Sequence, residues 1–392
     1  MRRRIIIIMH NDLMDYPPMI SLIDVLHDLG ENVTYIGDYT ESPTTKRFEV
    51  NGIKLYKLSC YRRGSFFQKY KTYKHYRNKL GKLLDNLQIK NEDIVWYVYS
   101  ESANFIHDIL NKYRYVIHYY EYTKQTYSWK YRLLYPSYNQ TEFAKRAIGV
   151  VHCEYNRAQI FRAMNGLEVS PFVLPNKPYI KDSSMNEAHM PEDIRVLIDS
   201  VRQKVKGKKV ILYQGYFESK ERKLEEFCQA VNMMPDEYVM IAMGKGPDDS
   251  YNQLKKKYES DKILFIPFII PPFHLYITQL ASVGVLTYSP NALTHEGVVN
   301  VLYCAPNKIF EYGRYSKPMI SNNIPGLNYI FDEYHCGEVI DYPITPEAIV
   351  DVLNKIFSNY EGYVEGAKMY YDSVNTVEIV KNILLKIDIA KC

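Results

Sequence analysis

Two segments carry residues suited to chemistry, and the first is 210–224. In it an apolar strand ends in Gly215, and the cations Lys220, Arg222 and Lys223 follow. A glycine at the end of a strand lets a ligand approach the backbone. The start of a helix offers free N–H groups and a positive dipole end to an anion, and we expect Arg222 and Lys223 to open such a helix. The segment therefore indicates a phosphate site. The alternative interpretation is a turn glycine before a solvated basic helix.

A second segment, residues 300–326, has the same character. Pro306 pre-sets a helix start, after which the amides of Asn307 and Lys308 and the Lys308 ammonium could hold a phosphate. Glu311 follows one turn later on the same face, where its carboxylate could accept both hydroxyls of a ribose. The alternative interpretation is that Glu311 is an ordinary surface carboxylate of the helix.

The elements that must position these residues alternate between strand-like apolar runs and helix-period segments. This alternation predicts an α/β fold with two doubly wound parallel sheets, one in each half of the chain. Because ligands bind beyond the carboxyl ends of such strands, we expect the active site in the interdomain cleft. The predicted strands cover 5–9, 33–36, 53–58, 94–99, 115–120, 148–152, 210–217, 238–243, 263–266, 283–288, 318–321 and 338–340.

The distribution of charge and the cysteine content indicate which kinds of partner and compartment to expect. Residues 1–180 hold 26 Lys and Arg against 17 Asp and Glu, so the basic half suits an anionic lipid, a phosphate-linked acceptor or nucleic acid. Residues 61–84 concentrate eight of these cations on a helix-period pattern, which predicts either peripheral contact with an anionic membrane or a packed helix with a solvated basic face. No nucleic-acid-binding motif accompanies them, so we expect no nucleic acid partner. The scattered cysteines favour a cytoplasmic protein.

The motifs resemble those of a known family, the retaining glycosyltransferases of the GT-B fold, especially glycosyltransferase family four. The resemblance covers nearly the whole chain and is most specific around Pro306. The matching runs are Tyr16-Pro17-Pro18, Pro175-Asn176-Lys177-Pro178, Tyr213-Gln214-Gly215, Arg222-Lys223-Leu224, Pro306-Asn307-Lys308, Glu311-Tyr312, Lys317-Pro318 and Ile324-Pro325-Gly326.

The resemblance implies roles for individual residues. Arg222 would contact the donor diphosphate, and Glu311 matches the second glutamate of the family's Glu-x7-Glu pattern, the ribose ligand. Tyr303 stands where the first glutamate is expected, and Tyr216 where many members carry an arginine. The implied catalytic residues are His118, Arg222 and Glu311. The implied donor-binding residues are Gly215, Tyr216, Lys220, Arg222, Gly244, Tyr303, Pro306, Asn307, Lys308 and Glu311, and the acceptor-side residues are His10, Asn11, Asp15 and Glu121.

The resemblance also implies an arrangement of domains. We expect an N-terminal acceptor-side Rossmann-like domain over 1–175, a linker over 176–205 and a C-terminal nucleotide-sugar-binding domain over 206–365. A C-terminal helix over 366–392 could pack back on the N-terminal domain.

The implied activity is transfer of a sugar from a nucleotide-diphosphate donor, with UDP favoured over GDP or dTDP, to a hydroxyl of a glycan or lipid-linked acceptor. No cofactor or metal is expected, and the adjacent Asp248 and Asp249 are interpreted as a polar turn. The implied setting is bacterial surface polysaccharide or glycoconjugate synthesis at the inner membrane face. Two alternatives stay open: a sugar-nucleotide epimerase of the same fold, and a non-catalytic partner subunit, which the missing acid at Tyr303 would suit.

Overall fold

The structure is a computed structural model that divides into two compact units. The first is Met1–Pro175 with Asn375–Cys392, and the second is Asn176–Val374. The described residues are 3–59, 65–124, 137–181, 185, 187, 190–217, 219–246, 248–290 and 294–389, with the backbone alone at 219, 220, 248 and 249. Within these residues no helix is long and apolar enough to cross a membrane.

The first unit is built on a parallel sheet in the order β3-β2-β1-β4-β5-β6-β7. Its central strand β1 is a run of β-branched residues, Ile5 to Ile8, that is fully buried, as expected for a strand covered on both faces. The strands are β1 (Arg4–Asp12), β2 (Asn32–Asp38), β3 (Lys54–Lys57), β4 (Ile94–Val98), β5 (Tyr115–Tyr119), β6 (Gly149–His152) and β7 (Phe172–Val173).

The helices of the first unit carry clear boundary signals. Pro17 lies in the first turn of α1, Ser42 and Thr45 form a capping box on α2, and Gly166 ends α6 in the left-handed conformation. These helices are α1 (Pro17–Asp28), α2 (Pro43–Val50), α3 (Phe66–Asn86), α4 (Ala103–Leu110), α5 (Gln140–Arg146) and α6 (Tyr155–Asn165).

The second unit has a parallel sheet in the order β10-β9-β8-β11-β12-β13. Its strands are β8 (Lys209–Tyr216), β9 (Tyr238–Lys245), β10 (Ile263–Pro267), β11 (Val283–Leu286), β12 (Met319–Asn322) and β13 (Gly337–Ile340). Its helices are α7 (Glu192–Lys204), α8 (Ser219–Arg222), α9 (Leu224–Met233), α10 (Asp248–Tyr258), α11 (Leu275–Thr278), α12 (His295–Leu302), α13 (Asn307–Arg314), α14 (Pro325–Tyr334), α15 (Pro346–Ser358) and α16 (Tyr360–Ser373).

Both sheets thus have the predicted parallel α/β architecture. The structure differs from the expected boundaries where residues pack locally. Within the expected linker, α7 places Ile198 and Val201 in the core of the second unit. The chain then returns, and the last helix, α17 (Thr376–Ile389), packs against α1 in the first unit. Val380 and Ile383 are buried on this helix because they lie on one face, three residues apart.

Helix α13 is anchored to the second sheet by the side chain of Tyr312, whose ring packs against Gly284. Tyr312 is fully buried and its Oη donates to the Leu212 carbonyl over 3.0 Å. Its ring covers Gly284 of β11, where a Cβ atom would lie 2.3 Å from the ring. Any side chain larger than hydrogen at this position therefore displaces Tyr312 and with it the helix.

We expect Gly284→Ala to destabilise the second unit by about 2 kcal/mol or more, because the added methyl overpacks a fixed ring. Differential scanning calorimetry measures the change in melting temperature. Gly81→Ala in α3 is the matched control, since its Cβ would meet only Ile109 at 3.6 Å and alanine favours the helix by up to about 1 kcal/mol. An unchanged melting temperature for Gly284→Ala would contradict the packing of Tyr312.

Candidate active site

Two glycines lie side by side where β8 and β9 end. Gly215 and Gly244 are paired in register and have φ angles of 137° and 155°, which side chains rarely adopt. A Cβ at Gly244 would lie 1.8 Å from the Gly215 carbonyl oxygen. A Cβ at Gly215 would lie 3.0 Å from Lys308 Nζ, so glycine lets the Lys308 ammonium rest on the backbone. The structure thus brings three of the predicted donor-site residues together.

Arg222 lies beside this pair at the end of the short helix α8. The predicted helix start at Arg222 and Lys223 is wrong, because Lys223 adopts φ 57° and separates α8 from α9. Arg222 stacks on Tyr288, with Cζ 4.1 Å from the ring centroid, and Nη2 contacts Glu221 at 3.2 Å. Its Nε and Nη1 are buried and have no hydrogen-bond partner among the described residues. Buried donors of this kind favour an anionic ligand.

Lys308 contributes a second cation to the same ring. Its Nζ lies 4.5 Å from the Tyr213 centroid and 5.5 Å from the Tyr288 centroid. Burial, and then the nearby Arg222 charge, lowers the pKa of Lys308 to about 7, although Glu311 acts in the opposite direction. The described residues provide no hydrogen bond or ion pair to Nζ. The Lys308 ammonium is therefore available to an anion.

The start of α13 adds backbone donors. Pro306 is the residue that precedes the helix, with φ −72°, and Asn307 and Lys308 are its first two helical residues. Their N–H groups have no acceptor within the helix, so they are available to an anion. The predicted helix start is therefore observed, with Pro306 one position before the first turn.

Glu311 lies one turn further along α13 and is 8% exposed. Gln214 Nε2 donates to its Oε2 over 2.5 Å, and His274 Nε2 contacts its Oε1 at 3.2 Å. Burial raises the pKa of this carboxyl, but His274, Gln214 and Lys308 outweigh burial and hold the pKa below its usual value. Glu311 is thus a buried, ionised carboxylate, and the alternative of a surface helix residue is wrong.

Several residues of this arrangement are absent from the predicted site residues, namely Gln214, Tyr288, His274, Thr278 and Asn322. His274 and Thr278, one turn apart, reach the site through Glu311 and Gln214 respectively. Asn322 fixes the backbone of Tyr288, accepting from its N–H over 2.7 Å and donating to its carbonyl over 2.8 Å. Asn322 is the last residue of β12 and follows the polar Ser321, so the sequence carries no signal that could have found it.

Three predicted donor residues remain, namely Tyr303, Tyr216 and Lys220. Tyr303 follows α12, and its backbone packs on Gly326, whose Cβ would lie 2.7 Å from Tyr303 Cα. Tyr216, at the end of β8, is 52% exposed and its carbonyl accepts from Tyr213 Oη. The Lys220 side chain lies outside the described residues, as do those of Asp248 and Asp249.

In the first unit, the predicted residues around β5 form an aromatic cluster. Asn11 donates to Tyr16 Oη, and the Tyr16 ring lies 5.6 Å from that of Tyr120, which in turn lies 4.5 Å from His118. His118 is 1% exposed, and its Nδ1 accepts from Trp96 Nε1 over 3.2 Å. Burial lowers the pKa of His118 to about 3, so the ring is neutral. Its Nε2 has no partner within the described part of the chain.

The other acceptor-side residues of the prediction differ in exposure. His10 is buried, with Nδ1 2.9 Å from Ser100 Oγ, whereas Asp15 is exposed in the turn that follows β1. The Glu121 side chain is 64% exposed and its Oε2 lies 3.1 Å from Nη1 of the buried Arg157. Their roles toward an acceptor stay predictions.

Solved structures resemble this chain over its full length. Anabaena HepE, in complex with UDP and glucose, is 13% identical, with a TM-score of 0.67 and coverage of 99% of this chain and 100% of that chain. WaaG, a glycosyltransferase involved in lipopolysaccharide biosynthesis, is 11% identical with a TM-score of 0.59, covering 98% and 99%. Trehalose 6-phosphate synthase from Burkholderia multivorans is 11% identical with a TM-score of 0.64, covering 99% and 98%.

No family model and no curated protein matches the sequence. The structural likeness shows that the chain has the GT-B fold of two Rossmann-like α/β units, which confirms the fold prediction. The described residues contain no group of three or more His, Cys, Asp or Glu side chains placed to hold a metal ion.

The pKa of Lys308 generates a prediction for anion binding. Of the two forms of Lys308 only the protonated amine attracts an anion, so affinity is greatest below pH 7 and falls as the pH rises through 7. The fall is at most about tenfold per pH unit, because Arg222 stays charged. Isothermal titration with inorganic pyrophosphate between pH 6 and pH 8.5 measures this fall. Lys308→Arg keeps its charge and should bind with a shallower pH dependence. If the affinities of wild type and Lys308→Arg fall equally with pH, the assignment of the pH dependence to Lys308 is contradicted.

Proposed function

We propose that this chain is a retaining glycosyltransferase that moves a sugar from a nucleotide-diphosphate donor to a hydroxyl of a glycan or lipid-linked acceptor. The observation that carries the proposal is the convergence of Arg222 and Lys308 on the Tyr288 ring, one helical turn from the ionised Glu311. A diphosphate needs the cations, and a ribose needs the carboxylate. A nucleotide diphosphate supplies both groups in one molecule.

The chemistry follows from the same charges. When the bond from the anomeric carbon to the diphosphate breaks, negative charge develops on the leaving phosphate. Arg222, Lys308 and the first N–H groups of α13 are donors fixed before the reaction, so they stabilise this charge without reorganising. The acceptor hydroxyl then attacks the anomeric carbon from the face that the diphosphate leaves, which retains the configuration, and its proton passes to an oxygen of the leaving phosphate. The retaining outcome is part of the proposal and rests on the family resemblance.

The fold neighbours support UDP as the first nucleotide to test. The structures of Anabaena HepE contain UDP, UDP with glucose, or UDP-glucose. We therefore favour a UDP-sugar, with GDP- and dTDP-sugars as the comparisons. WaaG acts in lipopolysaccharide biosynthesis, and we propose a comparable bacterial surface polysaccharide or glycoconjugate role, carried out at the cytoplasmic face of the membrane.

Substitution of Arg222 tests the proposal. We expect Arg222→Ala to lower kcat/KM for the nucleotide sugar by about 100-fold or more, because one preorganised donor to the leaving charge is lost. The matched control is Lys223→Ala, since the neighbouring Lys223 ion pairs with Glu226 at 3.1 Å instead. Release of nucleotide diphosphate with and without acceptor is the measurement. It is made for wild type, Arg222→Ala and Lys223→Ala with UDP-, GDP- and dTDP-sugars.

Three outcomes would contradict the proposal. Conversion of the donor to its epimer without an acceptor would indicate the epimerase. Equal activity of wild type and Arg222→Ala would remove Arg222 from the site. No turnover, together with no binding of any nucleotide diphosphate, would favour the non-catalytic partner subunit.

Helix α3 supports peripheral contact between the first unit and an anionic membrane. One face of the helix is buried through Tyr73 and Leu80, whereas Lys71 and Lys74 on another face are exposed. Phe67, near the N-terminus of the helix, is 74% exposed. An exposed aromatic ring beside lysines that have no ion-pair partner among the described residues suits the interface of an anionic bilayer. The predicted cations at 62 and 63 lie outside the described residues.

Vesicle sedimentation tests this contact. Each basic residue near an anionic surface contributes about 1 kcal/mol, so we expect Lys71→Glu combined with Lys74→Glu to weaken binding to phosphatidylserine vesicles by about tenfold or more. The control carries the same charge change on exposed lysines of the second unit, Lys256→Glu with Lys368→Glu. Equal binding by the two double variants would refute a specific role for α3.

A further inference from the structure

The carboxylate of Glu311 is held from two sides by protein donors. Gln214 Nε2 donates to Oε2 over 2.5 Å, and His274 Nε2 lies 3.2 Å from Oε1. We propose that His274, with Gln214, is a positioning residue that aims the Glu311 carboxylate at the ribose hydroxyls of the donor. This inference rests on the proposed function and adds His274, which no sequence motif indicated.

The direction of each hydrogen bond is determined by its neighbours. The Gln214 amide presents its NH₂ group to Glu311, and its oxygen accepts from Thr278 Oγ1 over 2.8 Å. The reversed amide would place its oxygen against an ionised carboxylate, which only accepts hydrogen bonds. Thr278 and Gln214 are both buried, so solvent does not compete for these contacts.

The Glu311 carboxylate also determines which nitrogen of His274 carries the proton that faces it. Because the carboxylate only accepts, His274 Nε2 carries the proton that faces Glu311. Its Nδ1 is buried and has no hydrogen-bond partner within the described residues. The contact with Glu311 is therefore the one polar contact of the ring in this part of the chain, and the ring in turn restrains the carboxylate.

This arrangement leaves room for a diol. A carboxylate has about four acceptor positions, two on each oxygen. Gln214 and His274 each occupy one of them, which leaves about two for a ligand. Two adjacent ribose hydroxyls need two acceptors at fixed positions. An ordinary structural ion pair would stabilise the helix but would not tune recognition of the ribose relative to the diphosphate.

Two substitutions at one position separate these roles. The side-chain amide of glutamine places its nitrogen near the position of His Nε2, whereas that of asparagine reaches only the position of Nδ1. We expect His274→Asn to weaken UDP binding by about tenfold and His274→Gln to bind within about twofold of wild type. Inorganic pyrophosphate, which has no ribose, should bind all three proteins equally. Isothermal titration at one pH gives all six dissociation constants.

Each other result overturns the inference. If His274→Asn binds UDP as wild type does, or if the two variants lose equal affinity, the Nε2 contact does not position Glu311. If UDP and pyrophosphate weaken together, His274 has a structural role only. Failure of the proposed function is distinguishable, because wild type would then bind pyrophosphate no less tightly than UDP, GDP or dTDP, and Glu311→Ala would leave all three nucleotides unaffected.

Discussion

The second unit depends on holding two cations beside one aromatic ring although, among the described residues, only one of the two is ion paired. Arg222 and Lys308 both face Tyr288, and Glu221 pairs with only one of them. Bringing like charges together in a partly buried site costs free energy unless an anion joins them. Much of the surrounding structure maintains this arrangement: Asn322 fixes the backbone of Tyr288, and Gly215 leaves space for the lysine.

Helix α13 connects this cationic site to the carboxylate. Lys308 and Glu311 are three residues apart on the helix, so they lie on nearly the same face, and Tyr312 anchors that helix to the sheet. The two halves of a nucleotide diphosphate, its phosphates and its ribose, therefore match one rigid element. In the first unit, His10 bonds to Ser100 near β1, whereas the buried Nε2 of His118 on β5 has no partner among the described residues.

The parts of the fold that follow from local pattern were predictable. Strands such as β1 are long apolar runs bounded by polar residues, and each of the twelve predicted strands lies at an observed one. The two-residue β7 was not predictable, because its residues are flanked by proline and its pairing depends on β6. The break at Lys223 was also hidden, since a non-glycine residue with positive φ leaves no mark in the sequence.

The site residues also divide into those that the local sequence predicts and those that only the folded chain brings together. Gly215, Lys308 and Glu311 belong to motifs with recognisable spacing. His274 could not be found, because its partner Glu311 lies on a different element and only the folded sheet brings them together. Tyr303 is the opposite case. The motif marks this position, but its observed contact is made by its backbone with Gly326.

A crystal structure of the chain with bound UDP is the most direct test of the cationic site. The account predicts phosphate oxygens within hydrogen-bonding distance of the Arg222 guanidinium and the Lys308 ammonium, with the ribose hydroxyls on Glu311. Density for UDP elsewhere on the second unit, with Arg222 and Lys308 free of phosphate, would contradict it.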